Sequence, residues 1–310
     1  MSIKSRSHKA ASAAGYFYIY ASLGIVICAC LFIIITVWSY GSKVLSWSFL
    51  TTEPNPSAIH TEAGGILTPM VGTILLTLTG SLFAYPFALY TSVYLCFYSK
   101  KGWLRTLIKT AVDILAGVPT IVVGLFALAV FTYPQISFFS TPVEGTGRAY
   151  GKSFFVSGIA MAIMILPFVI KAIESALNAV PEIYMEGSLA LGAPKWYSIS
   201  KVVIPSARKG ITTGVILGMG RIIGDTAIVW LTLGGTLRMT GLSPWFAPNN
   251  WLSTLQNTGS TLTTYIYFTS PAGEGNNYSV AFGAALVLIA IIIILNAAIA
   301  LMSSRKTEAD

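Results

Sequence analysis

Six stretches of this sequence, near residues 16–38, 70–97, 106–131, 154–177, 207–234 and 280–302, are long and predominantly apolar. A membrane span needs about 20 such residues, because about 30 Å of hydrocarbon must be crossed at 1.5 Å per residue. No other feature limits the fold as much. A backbone in lipid finds no water, so its N–H and C=O groups must be satisfied within a helix or a closed barrel. Runs of this length predict helices. Only 10% of the residues are charged and 55% are hydrophobic, whereas soluble domains carry about 25% charged residues. The chain therefore reads as an all-α integral membrane protein with six spans.

The basic residues orient it. Lys and Arg collect on the cytoplasmic side of membrane proteins. With a cytoplasmic N-terminus, that side receives Lys4, Arg6 and Lys9, then Lys100, Lys101, Arg105 and Lys109, then Lys171, Lys195, Lys201, Arg208 and Lys209, and finally Arg305 and Lys306. The outside receives only Lys43, Arg148, Lys152 and Arg238, and Arg221 falls inside a span. Both termini are expected in the cytoplasm of a cell (inner) membrane, multi-pass. The net charge of +8 is thus a matter of topology, with membrane lipid as a partner. No basic stripe interleaved with aromatics points to nucleic acid.

The expected organisation is a cytoplasmic tail at 1–15, a first transmembrane helix at 16–38, a core of five transmembrane helices over 70–302 with a structured cytoplasmic loop at 182–205, and a cytoplasmic tail at 303–310. The apolar run after Lys4, Arg6 and Lys9 is longer than a signal-peptide core and no small-x-small cleavage site follows, so it is read as retained. The outer segments 39–69, 132–153 and 235–279 are rich in Pro, Gly, Ser, Thr and Asn and read as loops.

Enzyme chemistry finds no support. Cys28, Cys30 and Cys96 lie in apolar stretches and read as small buried apolar residues. His8 and His60 fall outside the spans, so no metal site is expected. Gly151-Lys152-Ser153 imitates the end of a P-loop, but position 146 is Thr rather than Gly and no βα context surrounds it.

The inner segment 178–206 carries the most specific signal. It reads Glu186-Gly187-Ser188-Leu189-Ala190-Leu191-Gly192, then nine residues, then Val202-Val203-Ile204-Pro205. Small residues let a short helix lie close against a partner groove, Gly192 permits a turn that a side chain would obstruct, and Pro205 suits a helix start. Within the fifth span Arg221 and Asp225 stand four apart, which on a continuous helix is one face. A charge at that depth faces a bundle interior or a wet cavity, and Arg offers a fork that fits an oxyanion. Asp113 lies four residues after Lys109 at the inner end of the third span, and Lys171 and Glu174 at the inner end of the fourth; these are candidate gating contacts. Gly214-x-x-x-Gly218 and Gly220-x-x-x-Gly224 suit close helix approach, in the bundle or at a partner chain.

The loop resembles the EAA loop of ABC importer permeases, with Gly187 and Ser188 in place of the two alanines. Val112 to Phe126 and Arg221-Ile222-Ile223-Gly224-Asp225-Thr226-Ala227 resemble the third- and fifth-span motifs of phosphate permeases of the PstA type. The chain departs from them at Asp225 (usually Glu), at Ile228-Val229-Trp230 (usually Pro-Leu-Leu) and at Phe97 (usually Glu). The resemblance implies a six-helix, MetI-like importer permease and a subunit of a larger machine. The partners would be a second homologous permease (PstC-like), an ATPase dimer (PstB-like) and an extracytoplasmic phosphate-binding protein (PstS-like). ATP and magnesium would sit on the ATPase, with no cofactor in this chain. It further implies a substrate path at Arg221, Asp225 and Thr226, and ATPase coupling through Glu186, Gly187, Ser188, Gly192 and Pro205. A permease for molybdate or sulfate is the nearest alternative; an ion-coupled secondary transporter is disfavoured by the EAA-like loop.

Overall fold

A computed structural model describes residues 3–55, 64–100, 102–143, 148–237, 239–242, 244–273, 275 and 277–305. His60, Lys101, Thr146, Arg238 and Lys306, used above, lie outside the described residues, as do the side chains of Lys4, Arg6, His8, Lys9, Arg148 and Arg305.

The first helix, α1 (Ile3–Gly41), runs unbroken through the expected tail and span. In its apolar part, Gly15–Gly41, no residue of the most hydrophobic window is buried within the chain. A helix apolar all round belongs in lipid. Cys28 and Cys30 are accordingly exposed on α1 rather than buried, and Cys96 is half-buried. α1 meets the last helix, α13 (Tyr278–Arg305), where the Tyr40 and Phe282 rings stack 5.4 Å apart. A short α2 (Trp47–Thr51), capped by Ser46, intervenes before the core.

The centre is formed by α3 (Leu67–Val93), which ends in a π-helical turn at Tyr94–Tyr98, packed along α6 (Phe154–Asn178). Their closeness rests on small residues. A Cβ at Gly80 would lie 3.4 Å from that of Met161, and one at Gly158 would lie 3.2 Å from that of Thr79. Such contact lets backbones approach in lipid, where burial of apolar surface offers no driving force. The Ser92 hydroxyl donates to the Ile170 carbonyl at 3.1 Å, binding the pair further.

The expected third span is broken. α4 (Trp103–Gly117) and α5 (Thr120–Phe131) meet at 104°. Pro119 accounts for this: the residue before proline is pushed out of the helical region, and Val118 is extended at φ −71°, ψ 128°. A 3-10 turn at Pro134–Phe139 and a two-residue hairpin, β1 (Pro142–Val143) against β2 (Arg148–Ala149), lead into α6. The Gly-Lys-Ser tripeptide is the start of that helix. Gly151 takes a left-handed φ of +70°, and the Ser153 hydroxyl caps α6 by accepting from Val156 N at 3.1 Å.

After α6 come α7 (Glu182–Ala190), α8 (Lys195–Ser198), a π-helical turn at Ile199–Val203 and α9 (Ile204–Gly224). α9 stops two residues before α10 (Ala227–Thr232). α11 (Trp251–Gln256), α12 (Leu262–Thr269) and α13 complete the chain. Within the outer segment 235–279, α12 is no loop. It is mostly buried, opens with a Thr261/Thr264 capping box, and its Leu262 N–H donates to the Thr73 hydroxyl of α3 at 2.8 Å.

Among the described residues four helices are long and apolar enough to cross a membrane, or five if the bent α4–α5 pair counts as one. The architecture is therefore an all-α, multi-pass fold and not a clean six-helix bundle. The span expected at 207–234 falls short because α9 carries Arg208, Lys209 and Arg221 and ends at Gly224.

Candidate functional site

α9 has two unlike faces. Gly210, Gly214 and Gly218 recur every four residues and so share a face. Built Cβ atoms there would lie 2.6 Å from the Cβ of Ala176, 2.9 Å from that of Ala172 and 2.8 Å from Val169 Cγ2, all on α6. Nothing larger than glycine fits without moving a helix. Tyr85 of α3 ties down the same side, its hydroxyl donating to the Val215 carbonyl at 2.6 Å. An exposed strip beside it, still bordering α6, carries Leu217, Gly220, Arg221 and Gly224. Leu217 is 63% exposed, and a Cβ at Gly220 or Gly224 would meet nothing within 4 Å. The two glycine pairs read alike in sequence thus divide: one packs inside this chain, the other is open.

Arg221 sits on the open face, twelve residues past Lys209, or about 18 Å along the helix axis. Its Nε donates to Met164 Sδ at 3.0 Å, and its guanidinium lies 4.2 Å from the Phe168 ring centroid. Among the described residues it has no carboxylate partner within ion-pair distance. Asp225 does not face it across one helical turn, because the helix ends at Gly224 and Asp225 is extended (φ −82°, ψ 133°). Its Oδ1 instead accepts from Ile228 N at 2.8 Å and caps α10. The carbonyl of Asp225 accepts from the Thr263 hydroxyl of α12 at 3.2 Å, fixing the break to its neighbour. Thr226, next in sequence, lines a cavity of about 620 Å³ with Ile121, Trp230, Thr263, Tyr267 and Ser270; Arg221 does not line it. Thr263 went unnoticed in the sequence, although Thr261-x-x-Thr264 before an apolar run has the spacing of a helix cap.

Between the middle of α4 and the last turns of α6 the charges cross-pair. Lys109 Nζ lies 2.8 Å from Glu174 Oε1, and Lys171 Nζ lies 2.6 Å from Asp113 Oδ1. Each helix supplies one cation and one anion. Lys109 and Asp113, neighbours on α4, thus both reach across to α6 instead of pairing with each other.

The loop at 182–205 is a helical hairpin. α7 exposes Ile183, Tyr184 and Leu189, and Leu191 just beyond it is 90% exposed. Gly192 turns the chain at φ +83° with open space around it, a conformation that favours glycine. Gly187 has no neighbour within 4 Å of a built Cβ, so nothing among the described residues requires its smallness. Ser188 is different: its hydroxyl bonds that of buried Ser198 at 2.9 Å, fastening α7 to α8. Glu186 is exposed, without an ion pair among the described residues, and borders a groove of about 290 Å³ with Cys96, Phe97 and Leu189. Pro205 stands at the start of α9, and the chain is already helical before it. Proline offers no N–H and crowds the carbonyl four residues earlier; the helix widens to a π turn over those residues.

Residues 80–308 match the family described as binding-protein-dependent transport system inner membrane component. The chain belongs to that family. It is 31% identical over 240 residues to phosphate transport system permease protein PstA 1 of Mycobacterium tuberculosis, covering 77% of this chain and 71% of the relative. It is also 33% identical over 224 residues to phosphate transport system permease protein PstC of Mesorhizobium japonicum, covering 68% and 67%. A chain in the crystal structure of a bacterial alginate ABC transporter with its pentasaccharide-bound periplasmic protein shares the fold, with a TM-score of 0.64 over 94% of this chain and 95% of that one, at 16% identity. This permease is therefore a multi-pass membrane subunit of an ABC transport system, related to phosphate permeases of both named types. Among the described residues no group of three or more His, Cys, Asp or Glu could hold a metal ion.

Proposed function

We propose that this permease is the PstA-type subunit of an ATP-driven, binding-protein-dependent phosphate importer, and that it forms half of the translocation pathway. One observation carries the reading: Arg221, about 18 Å along α9 from Lys209, is exposed and has no carboxylate within ion-pair distance among the described residues. A charged residue in mid-bilayer costs about 2.5–3.5 kcal/mol on insertion scales, and an exposed cation–π contact such as that with Phe168 offsets only about 0.5–1 kcal/mol. The deficit argues that this face is turned away from lipid, toward a wet passage. An unpaired guanidinium there presents its fork to a passing oxyanion.

The remaining assignments follow from this reading. Asp225 holds the break between α9 and α10, and Thr226 lines the passage beyond it. A second homologous permease supplies the opposite wall. Glu186, Gly187, Ser188, Gly192 and Pro205 form the element on which an ATPase subunit docks, and the exposed Ile183, Tyr184 and Leu191 suit such a contact. Two ATPases, holding ATP and magnesium, drive the loop, and a phosphate-binding protein delivers from outside. Both termini are cytoplasmic. The crossed pairs of Lys109 with Glu174 and Lys171 with Asp113 close the inner end of the passage until the loop moves α6. The third- and fifth-span motifs favour the PstA type and phosphate over molybdate or sulfate.

The test is uptake by the complex of this chain with its partner permease, ATPase and binding protein in proteoliposomes. Radiolabelled phosphate should enter only with ATP. ATP-dependent entry of molybdate or sulfate, with phosphate left outside, would overturn the cargo and retain the permease.

A further inference from the structure

The coupling hairpin is joined by covalent continuity to α6 and α9. Its contact with the end of α3 is of another kind. Across the groove of about 290 Å³, one wall comes from α7 (Met185, Glu186, Leu189) and the other from the last turn of α3 (Cys96, Phe97). Lys195, the first residue of α8, reaches the end of α3 from the hairpin. Its ammonium donates to the Phe97 carbonyl and lies 4.8 Å from the centroid of the Tyr98 ring.

The acceptor is suited to this. Carbonyls in the last turn of a helix have no intrahelical partner and carry the negative end of the helix dipole, which favours a cation. Here that turn is π-helical (Tyr94–Tyr98), and a second π-helical turn (Ile199–Val203) follows α8. Single π turns inside helices gather at functional sites. The side chain of Lys195 is exposed, so its bonds add little to folding. They fix the position of one element against another.

We propose that Lys195 is a positioning residue that latches the coupling hairpin to the cytoplasmic end of α3, so that movement of the hairpin drives α3 as well as α6 and α9. This rests on the reading of 182–205 as the ATPase-docking element. Through Lys195, a displacement of α8 pulls on the Phe97 carbonyl and thereby on the helix that, with α6, forms the centre of the fold.

The test uses the assembled transporter in proteoliposomes, with Cys28, Cys30 and Cys96 replaced by alanine and spin labels placed at Leu82 of α3 and Ile293 of α13, both exposed. The label distance is read with and without trapped ATP, and ATP hydrolysis and uptake are read in parallel. The unmodified latch should give a distance change on trapping. Lys195→Met should assemble and hydrolyse ATP at the original rate, lose most of the distance change, and transport several-fold less per ATP. Lys195→Arg should restore both. An unchanged distance response or transport ratio in Lys195→Met would overturn the latch. So would loss of ATPase binding in that variant, which would make Lys195 a docking residue, or the absence of any distance change with Lys195 in place. Failure to move phosphate would fall on the proposed cargo alone, because the distance readout needs no cargo.

Discussion

The two faces of α9 carry similar residues and do different things. On one, Gly210, Gly214 and Gly218 are pressed against Ala176, Ala172 and Val169 of α6. On the other, Gly220 and Gly224 flank Arg221 with no neighbour of their own. Glycine spacing alone does not say what a helix face meets. The first face has no room left and serves the fold. The second has room and a charge, and in the proposed reading its partner is the cargo or a second permease.

The largest effect expected from this contrast is on stability. Gly218→Leu places a side chain where even a Cβ would be 2.8 Å from Val169. Overpacking of this kind costs about 1–3 kcal/mol and often more, and thermal unfolding of the purified permease in detergent should show a clear drop in Tm. Gly220→Leu, two residues on, should leave Tm unchanged while lowering uptake by the complex. Equal Tm losses for the two variants would erase the distinction between the faces.

A smaller effect is expected at the break after α9. Losing a helix cap typically costs about 1 kcal/mol, so Asp225→Ala should lower Tm modestly. Asp225→Asn retains an acceptor for Ile228 N and should match the parent in both Tm and uptake. A large loss of uptake in Asp225→Asn would show that the charge acts on Arg221 or the anion after all, and that the cap is secondary.

The smallest stability effect belongs to the crossed pairs. The Lys171–Asp113 side chains are 53% and 63% exposed, and exposed pairs contribute about 0–1 kcal/mol. Exchanging the charges as Asp113→Lys with Lys171→Asp should leave Tm near that of the parent. Either single change should alter transport per ATP more than the double exchange does. Additive single effects would mean that the two residues do not act as a pair.

Much of this was legible in the sequence for physical reasons. Long apolar runs admit little besides spanning helices, and Gly192 ends its helix with the left-handed turn that its residue type suggested. What was not legible depended on neighbours. Four-residue spacing put Arg221 and Asp225 on one face only while the helix continued, and it stops between them at Gly224. The 104° turn was written in Val118-Pro119, but prolines at 86 and 167 stay inside helices; local chemistry does not separate a tolerated proline from a breaking one when packing decides. Lys109 and Asp113 stand four apart in the sequence, whereas their partners on α6 are 65 and 58 positions away. Ser188 looked like a small residue for a partner surface, yet its hydroxyl binds Ser198.

The central claim is that the open face of α9 meets the anion through Arg221. It is tested most directly by ATP-dependent phosphate uptake into proteoliposomes containing the complete complex with Arg221→Ala, alongside recovery of the partner permease and ATPase as the measure of assembly. The account predicts intact assembly and uptake reduced by an order of magnitude or more, which corresponds to at least about 1.4 kcal/mol. Assembly and uptake both at the level of the unsubstituted complex would contradict it, and would leave Arg221 as a residue held by Phe168 and Met164 for the fold alone.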